Sequence, residues 1–133
     1  MKLTRRSEYA LLALIHLARA EGVGYVAVSA IAEAQGLPAK FLEQLLMTLK
    51  RAGLVKSQKG PHGGYRLGRP ASKITLAEVV RLLDGALAPT DSVSTYFYES
   101  TPVEREKKLM KVFKEIRDFV STKLEKTTLA DVA

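Results

Sequence analysis

The stretch Ser29-Ala30-Ile31-Ala32-Glu33-Ala34-Gln35-Gly36-Leu37-Pro38-Ala39-Lys40-Phe41-Leu42-Glu43-Gln44-Leu45-Leu46-Met47-Thr48-Leu49-Lys50-Arg51-Ala52 decides the fold. Ser29 is a helix-capping residue type, and Gly36 supplies the positive φ that ends a helix over Ala30–Gln35. Pro38 suits the first turn of a second helix, Pro38–Ala52, because its missing N–H is one the helix leaves unpaired anyway. On that helix Phe41, Leu42, Leu45, Leu46 and Leu49 fall on one face. Two helices meeting at the short turn Gly36-Leu37 have helix-turn-helix spacing. In that motif the second helix enters the major groove of duplex DNA, and its N-terminal residues meet base edges. The residues so placed are Ala39, Lys40, Glu43 and Gln44. Lys40 can donate to guanine, Glu43 can accept from a cytosine amino group, and Gln44 can pair with adenine. An ordinary amphipathic pair whose polar face meets only water has the same pattern, so the flanks must discriminate.

Upstream, Leu11, Leu12, Leu14, Ile15, Leu17 and Ala18 give Thr4–Ala20 helical spacing, with Thr4 as its cap and Gly22 and Gly24 behind it. Val26 and Val28 suggest a short extended piece. Downstream of Gly53 the period changes. Leu54–Lys59 and Gly64–Gly68 read as short strands joined by Gly60-Pro61-His62-Gly63, a turn-rich connection. Three helices followed by a β-hairpin is the order of a winged helix-turn-helix. The hairpin carries Lys59 beside Gly60, Gly63 and Gly64, whose lack of side chains lets backbone approach a phosphate or enter the minor groove. A nucleotide-binding P-loop is excluded, because no Lys-Ser/Thr pair and no helix follow the glycines.

Thr75-Leu76-Ala77-Glu78 is a capping box opening a helix to about Asp84. Ala86–Ser100 lacks a clear period and reads as a loop. Thr101-Pro102-Val103-Glu104 is a second capping box, opening the longest helix, Pro102–Leu124. Its stripe is Leu109, Val112, Phe113, Ile116, Phe119, Val120 and Leu124. A helix this long cannot bury its apolar face on a small domain alone, which predicts a homodimer interface; docking back onto its own domain is the alternative. The fold class expected is mainly α with a small β-hairpin wing: a DNA-binding unit over 1–84, a loop over 85–101, and a dimerisation helix with C-terminal tail over 102–133.

Charge supports a division of labour. The 133 residues carry a net charge of +7. Residues 1–73 hold 12 Lys/Arg against 4 Asp/Glu, whereas residues 74–133 hold 9 against 10. The positive excess therefore lies in the N-terminal half, as when one module meets phosphates and another does a different job. Lys2, Arg5, Arg6, Lys50 and Arg51 are candidate phosphate contacts, each worth about one unit of salt dependence. Besides Arg6, the expected DNA-contacting set is Lys2, Thr4, Arg5, Ser29, Pro38, Ala39, Lys40, Phe41, Glu43, Gln44, Lys50 and Arg51, with Lys59, Gly60, His62, Gly63, Gly64 and Tyr65 in the wing. No apolar run approaches the ~20 residues of a membrane-spanning helix. The basic opening is followed by Glu8, His16 and Arg19 and by no cleavage site, so a cytoplasmic location is expected.

These features assemble into a family likeness. Leu3-Thr4 with Tyr9-Ala10, Ile31-Ala32, Phe41-Leu42-Glu43-Gln44-Leu45-Leu46, Leu49, Ala52-Gly53-Leu54-Val55, Gly60, Gly63-Gly64-Tyr65, Leu67, and Ile74-Thr75-Leu76 with Glu78-Val79 fall in order at family spacing. The stretch Met1–Asp84 resembles the Rrf2 family of bacterial winged-helix regulators, and the likeness returns at Leu129-Ala130-Asp131. The resemblance implies a transcription regulator that acts as a homodimer on a roughly palindromic operator. It also implies base reading by Lys40, Glu43 and Gln44, with Lys59 as a basic wing residue.

Many family members hold a two-iron cluster on three cysteines in the loop before the long helix. This chain has no cysteine, and iron–sulfur iron requires thiolate or imidazole ligands. No cluster, other metal or cofactor is expected. For a member without these cysteines the resemblance implies a signal received through a partner protein, and the sequence names none. Tyr96, Phe97, Tyr98 and Glu99 can line a small-molecule effector pocket or simply pack as an aromatic loop. His16 reads as a half-buried histidine and His62 as a wing residue, and two isolated histidines make no metal site. An interaction protein that regulates through a partner enzyme is the second functional class. An enzyme is the third, and no nucleophile–base pair, metal cluster or phosphate loop supports it.

Overall fold

The computed structural model describes all 133 residues, Met1–Ala133. The first helix, α1 (Arg5–Arg19), is capped by Thr4, whose hydroxyl accepts from the Ser7 amide. Ala10, Ala13, Leu14 and Leu17 recur at helical spacing and are buried. This helix packs against four of the other helices and the second strand.

The next two helices are α2 (Val28–Gln35) and α3 (Ala39–Arg51). Gly36 ends α2 in the left-handed conformation, with φ 66°, as expected. Ser29 does not cap α2. Val26 is held by two backbone hydrogen bonds to Tyr65, at 2.7 and 2.8 Å, so the chain turns into the helix at Ala27 and Ser29 already lies inside the first turn. Pro38 is the N-cap of α3 rather than its first helical residue. Leu42, Leu45, Leu46 and Leu49 are fully buried. Phe41 is only half-buried, edge-on to Tyr9 with ring centroids 5.5 Å apart.

The hairpin pairs β1 (Val55–Gln58) with β2 (Gly64–Leu67) in antiparallel register, Val55 opposite Leu67 and Gln58 opposite Gly64. Val26 adds a one-residue bridge on the far side of β2. Leu54, Val55 and Ile31 share one core cluster with Leu14, Leu17, Leu42, Leu46 and Leu49, so the wing is fastened to the helices at its base.

The helix α4 (Leu76–Asp84) is capped by the Thr75 hydroxyl, which accepts from the Glu78 amide at 3.1 Å. Only half of the expected box forms, because the Glu78 carboxylate pairs with Arg69 instead. The expected box at Thr101 does not form. The Thr101 hydroxyl donates to Ser92 Oγ at 2.6 Å, and Glu104 is held by Tyr98 and Ser100. Pro102–Arg105 is consequently a separate 3₁₀ turn, Glu106 is extended (φ −113°, ψ 97°), and the long helix α5 runs Lys107–Lys126. Within the loop, Asp91–Val93 forms a further 3₁₀ turn.

No residue of α5 is buried. It lies along α4 and the two 3₁₀ turns, and its Leu124 packs on Ala77, Val80 and Leu87. The short α6 (Leu129–Val132) opens with a complete capping box between Thr128 and Asp131. Its placement alters the expected division of the chain. The Leu76 amide donates to the Thr127 carbonyl and the Leu129 amide to the Ile74 carbonyl, both at 2.9 Å, and Leu129 is fully buried in the same core cluster as α1 and α3. Residues 127–132 therefore complete the first unit rather than extend the long helix. No helix is long and apolar enough to cross a membrane.

Candidate nucleic-acid interface

Opposite its four buried leucines, α3 presents Ala39, Lys40, Glu43, Gln44, Met47, Lys50 and Arg51 to solvent. Two open recesses flank this stripe. The first, about 460 Å³, lies between α3 and the start of α1 and is lined by Arg6, Phe41, Gln44, Leu45, Met47, Thr48 and Arg51. The second, about 600 Å³, lies between α3 and the wing and is lined by Met47, Lys50, Arg51, Ser57, Gln58, Lys59, Gly64 and Tyr65. Met47 and Arg51 border both. A ridge between two channels is the relief that a helix seated in a groove requires, with the channels left for the sugar–phosphate rails.

The electrostatics match the relief. The ion pairs of the molecule are Arg69–Glu78, Arg81–Glu125 and Arg117–Asp118. None involves Lys2, Arg5, Arg6, Lys40, Lys50, Arg51 or Lys59, so no cation of this face is within ion-pair distance of a carboxylate. Arg5 lies over the Tyr9 ring, 6.0 Å from its centroid. The candidate phosphate ligands thus come from α1, α3 and the wing together.

The N-terminal arm is fixed from behind. The Thr4 amide donates to Asp84 Oδ2 at 3.0 Å and the Thr4 hydroxyl donates to Oδ1, while Leu3 packs into the small cluster of Ala77, Val80 and Leu87. Burial pushes the Asp84 carboxyl up, but the Thr4 hydrogen bonds and the nearby Arg6 charge outweigh it and hold the group below its usual range. Both protons that Thr4 could offer a phosphate are therefore used within the protein.

The wing glycines have a different cause from the one expected. A Cβ on Gly63 would run into the Gln58 carbonyl oxygen, and one on Gly64, at φ +142°, into the Val26 carbonyl oxygen. Their smallness is demanded by the protein's own backbone. Gly60, at φ +104° with open space around it, is the tip glycine that leaves room for a partner. His62 is exposed at the tip, whereas Tyr65 is half-buried against the core and offers one side to the recess. Ser29 and Pro38 are exposed at the edges of the helix-turn-helix.

Met47, Thr48 and Gln58 also line the interface and are absent from the expected set. The signal for Met47 lies in the helical period, since it follows Glu43 and Gln44 by one turn on the same face. The loop aromatics are not part of the buried core. Tyr96, Phe97 and Tyr98 are exposed, with Arg81 stacked 4.8 Å from the Tyr96 ring centroid. No three His, Cys, Asp or Glu residues converge as metal ligands.

A family model described as an iron-dependent transcriptional regulator, Rrf2, matches residues 3–133. The chain belongs to the Rrf2 family. Its relatives there include the helix-turn-helix transcriptional regulator CymR of Bacillus subtilis, 36% identical over 133 residues that span 100% of this chain and 90% of CymR. The solved structure of CymR, the global cysteine regulator of that organism, superposes with a TM-score of 0.81 at 35% identity, covering 100% of this chain and 96% of the other. An IscR structure from T. potens gives a TM-score of 0.72 at 33% identity over 99% and 85% of the two chains. This Rrf2 protein is accordingly a winged-helix, DNA-binding transcription regulator and not an enzyme. The iron in the family's description finds no fitting donors here. The chain has no thiolate to offer, and its two histidines stand apart, His16 half-buried in α1 and His62 in the wing.

Proposed function

We propose that the protein regulates transcription as a homodimer, seating one α3 in the major groove of each half of a palindromic operator and repressing the genes beside it. Residues 1–84, completed by 127–132, form the DNA-binding unit in this reading. The observation that carries it is the α3 ridge between two recesses whose cations lack carboxylate partners. Lys40, Glu43 and Gln44 read base edges, Lys2, Arg5, Arg6, Lys50 and Arg51 meet phosphates, and Lys59 with Gly60 and His62 follows the adjacent minor groove.

Pairing rests on α5. Its Leu109, Val112, Ile116 and Phe119 are exposed, Phe119 to 76%, and half-buried Phe113 and Val120 extend the same stripe. A second copy of α5 covers such a stripe with a self-complementary surface. Leu124 is the exception, being engaged with α4 of its own chain. The protein works in the cytoplasm, where its DNA is.

The test is a titration of operator DNA across salt concentrations with the wild type, Lys59→Ala and Glu43→Ala, alongside a promoter–reporter assay for repression. Weak binding to every duplex, unchanged by either substitution, overturns the DNA-reading assignment. A second role, docking a regulatory partner protein or small-molecule effector at the loop, is favoured by the exposure of Tyr96, Phe97 and Tyr98.

A further inference from the structure

The exposed stripe of α3 is charged, amide-bearing or small at every position except one. Met47 is a large apolar side chain, 50% exposed, with Gln44 on the turn before it and Arg51 on the turn after. A lone apolar residue on a surface has no special meaning. Met47 differs by position, because it borders both recesses and so stands on the crest of the helix. Whatever enters against α3 meets this thioether.

The floor of the major groove offers donors and acceptors from all four bases, but its apolar feature is the C5-methyl group of thymine. An unbranched, polarizable methionine can adapt its rotamers to such a small apolar target. Gln44, one turn earlier, has the chemistry of an adenine reader, so the neighbouring base edge is the one within reach of Met47. We infer that Met47 is a specificity-determining residue, packing on the methyl group of a thymine next to the base pair read by Gln44. This rests on α3 being the helix in the major groove. Burial of one methyl group corresponds to about a four-fold change in affinity.

The full-length protein is used to select duplexes from a randomised pool. In the selected sequence each thymine is then replaced singly by deoxyuridine, which removes the methyl group and nothing else. Binding of wild type, Met47→Ala and Met47→Leu is measured by fluorescence anisotropy. At one thymine per half-site, deoxyuridine is expected to weaken wild type about four-fold and Met47→Leu less. Met47→Ala is expected to bind thymine and deoxyuridine versions equally. Unchanged melting curves for both variants separate this from misfolding. The proposal is overturned if Met47→Ala keeps the wild-type response at every thymine, or if selected half-sites hold no thymine near the position read by Gln44. Recovery of no preferred duplex is a different failure, since it removes the underlying major-groove reading as well.

Discussion

The first unit and α5 both carry apolar stripes at helical spacing, yet the two stripes end in different places. In α1 and α3, eight residues of the stripes are buried to 2% exposure or less, because three helices, the wing base and α6 close over them from all sides. In α5 no residue reaches that state, and Phe119 is largely open. Sequence periodicity alone is blind to this difference, since it reports which face is apolar and not what covers it. Coverage is decided by how many elements the topology brings to a face. The α5 face receives mainly α4 and two short turns on one side, and its other side is the one a second chain covers in the proposed dimer.

Several substitutions can break or sharpen this contrast, from the largest expected effect downward. Leu129→Ala removes a core side chain supplied from beyond α5 and is expected to destabilise the first unit by about 2–5 kcal/mol, measured by urea unfolding. A change within about 0.5 kcal/mol would make the tail dispensable and restore a simple division at residue 101. Phe119→Lys is expected to convert the dimer to monomer in light scattering, while unfolding of the first unit shifts by no more than a surface change does, about 0.5 kcal/mol. A dimer that survives would place the interface elsewhere. Gly64→Ala is expected to cost about 1–3 kcal/mol through backbone strain alone, with the clash against Val26 added, and to weaken operator binding through the displaced wing. Lys59→Ala, by contrast, is expected to leave stability alone and lower the slope of log affinity against log salt by about one unit.

The smallest effect concerns Asp84. Because its carboxyl is held below the ordinary range, its contribution is complete above the unfolded pKa and is lost as pH falls through the lowered folded value. Wild type should therefore exceed Asp84→Asn in stability at neutral pH, and the two melting curves should converge in acid. A gap that stays constant into acid would show that the hydrogen-bond geometry matters and the charge does not.

Much of the architecture was legible in the residues, and the exceptions share a cause. Gly36 and Thr4 act within one turn of themselves, so their roles follow from local chemistry. The α3 stripe was readable because four leucines must turn inward together, which places Lys40, Glu43 and Gln44 outward. Thr101 and Glu104 form a textually complete capping box, but Ser92, Tyr98 and Ser100 claim them first, and those partners are brought by tertiary contacts. Ser29 failed as a cap because a bridge to distant Tyr65 had already set where the helix begins. Gly63 and Gly64 suggested room for DNA, whereas the nearest occupants are the carbonyls of Gln58 and Val26. Wherever the deciding partner lay far along the chain, periodicity and capping rules had nothing to report.

The contact between Ile74 and Leu129 has a bearing on how the protein comes into being. During synthesis the residues of α1 through α4 emerge well before the segment that seals their core, and the whole of α5 is made in between. Closing so long a loop is an entropic step that must precede the contacts it rewards. The DNA-reading surface is therefore finished only after the helix proposed for pairing exists, and in that reading a nascent chain reaches both abilities together.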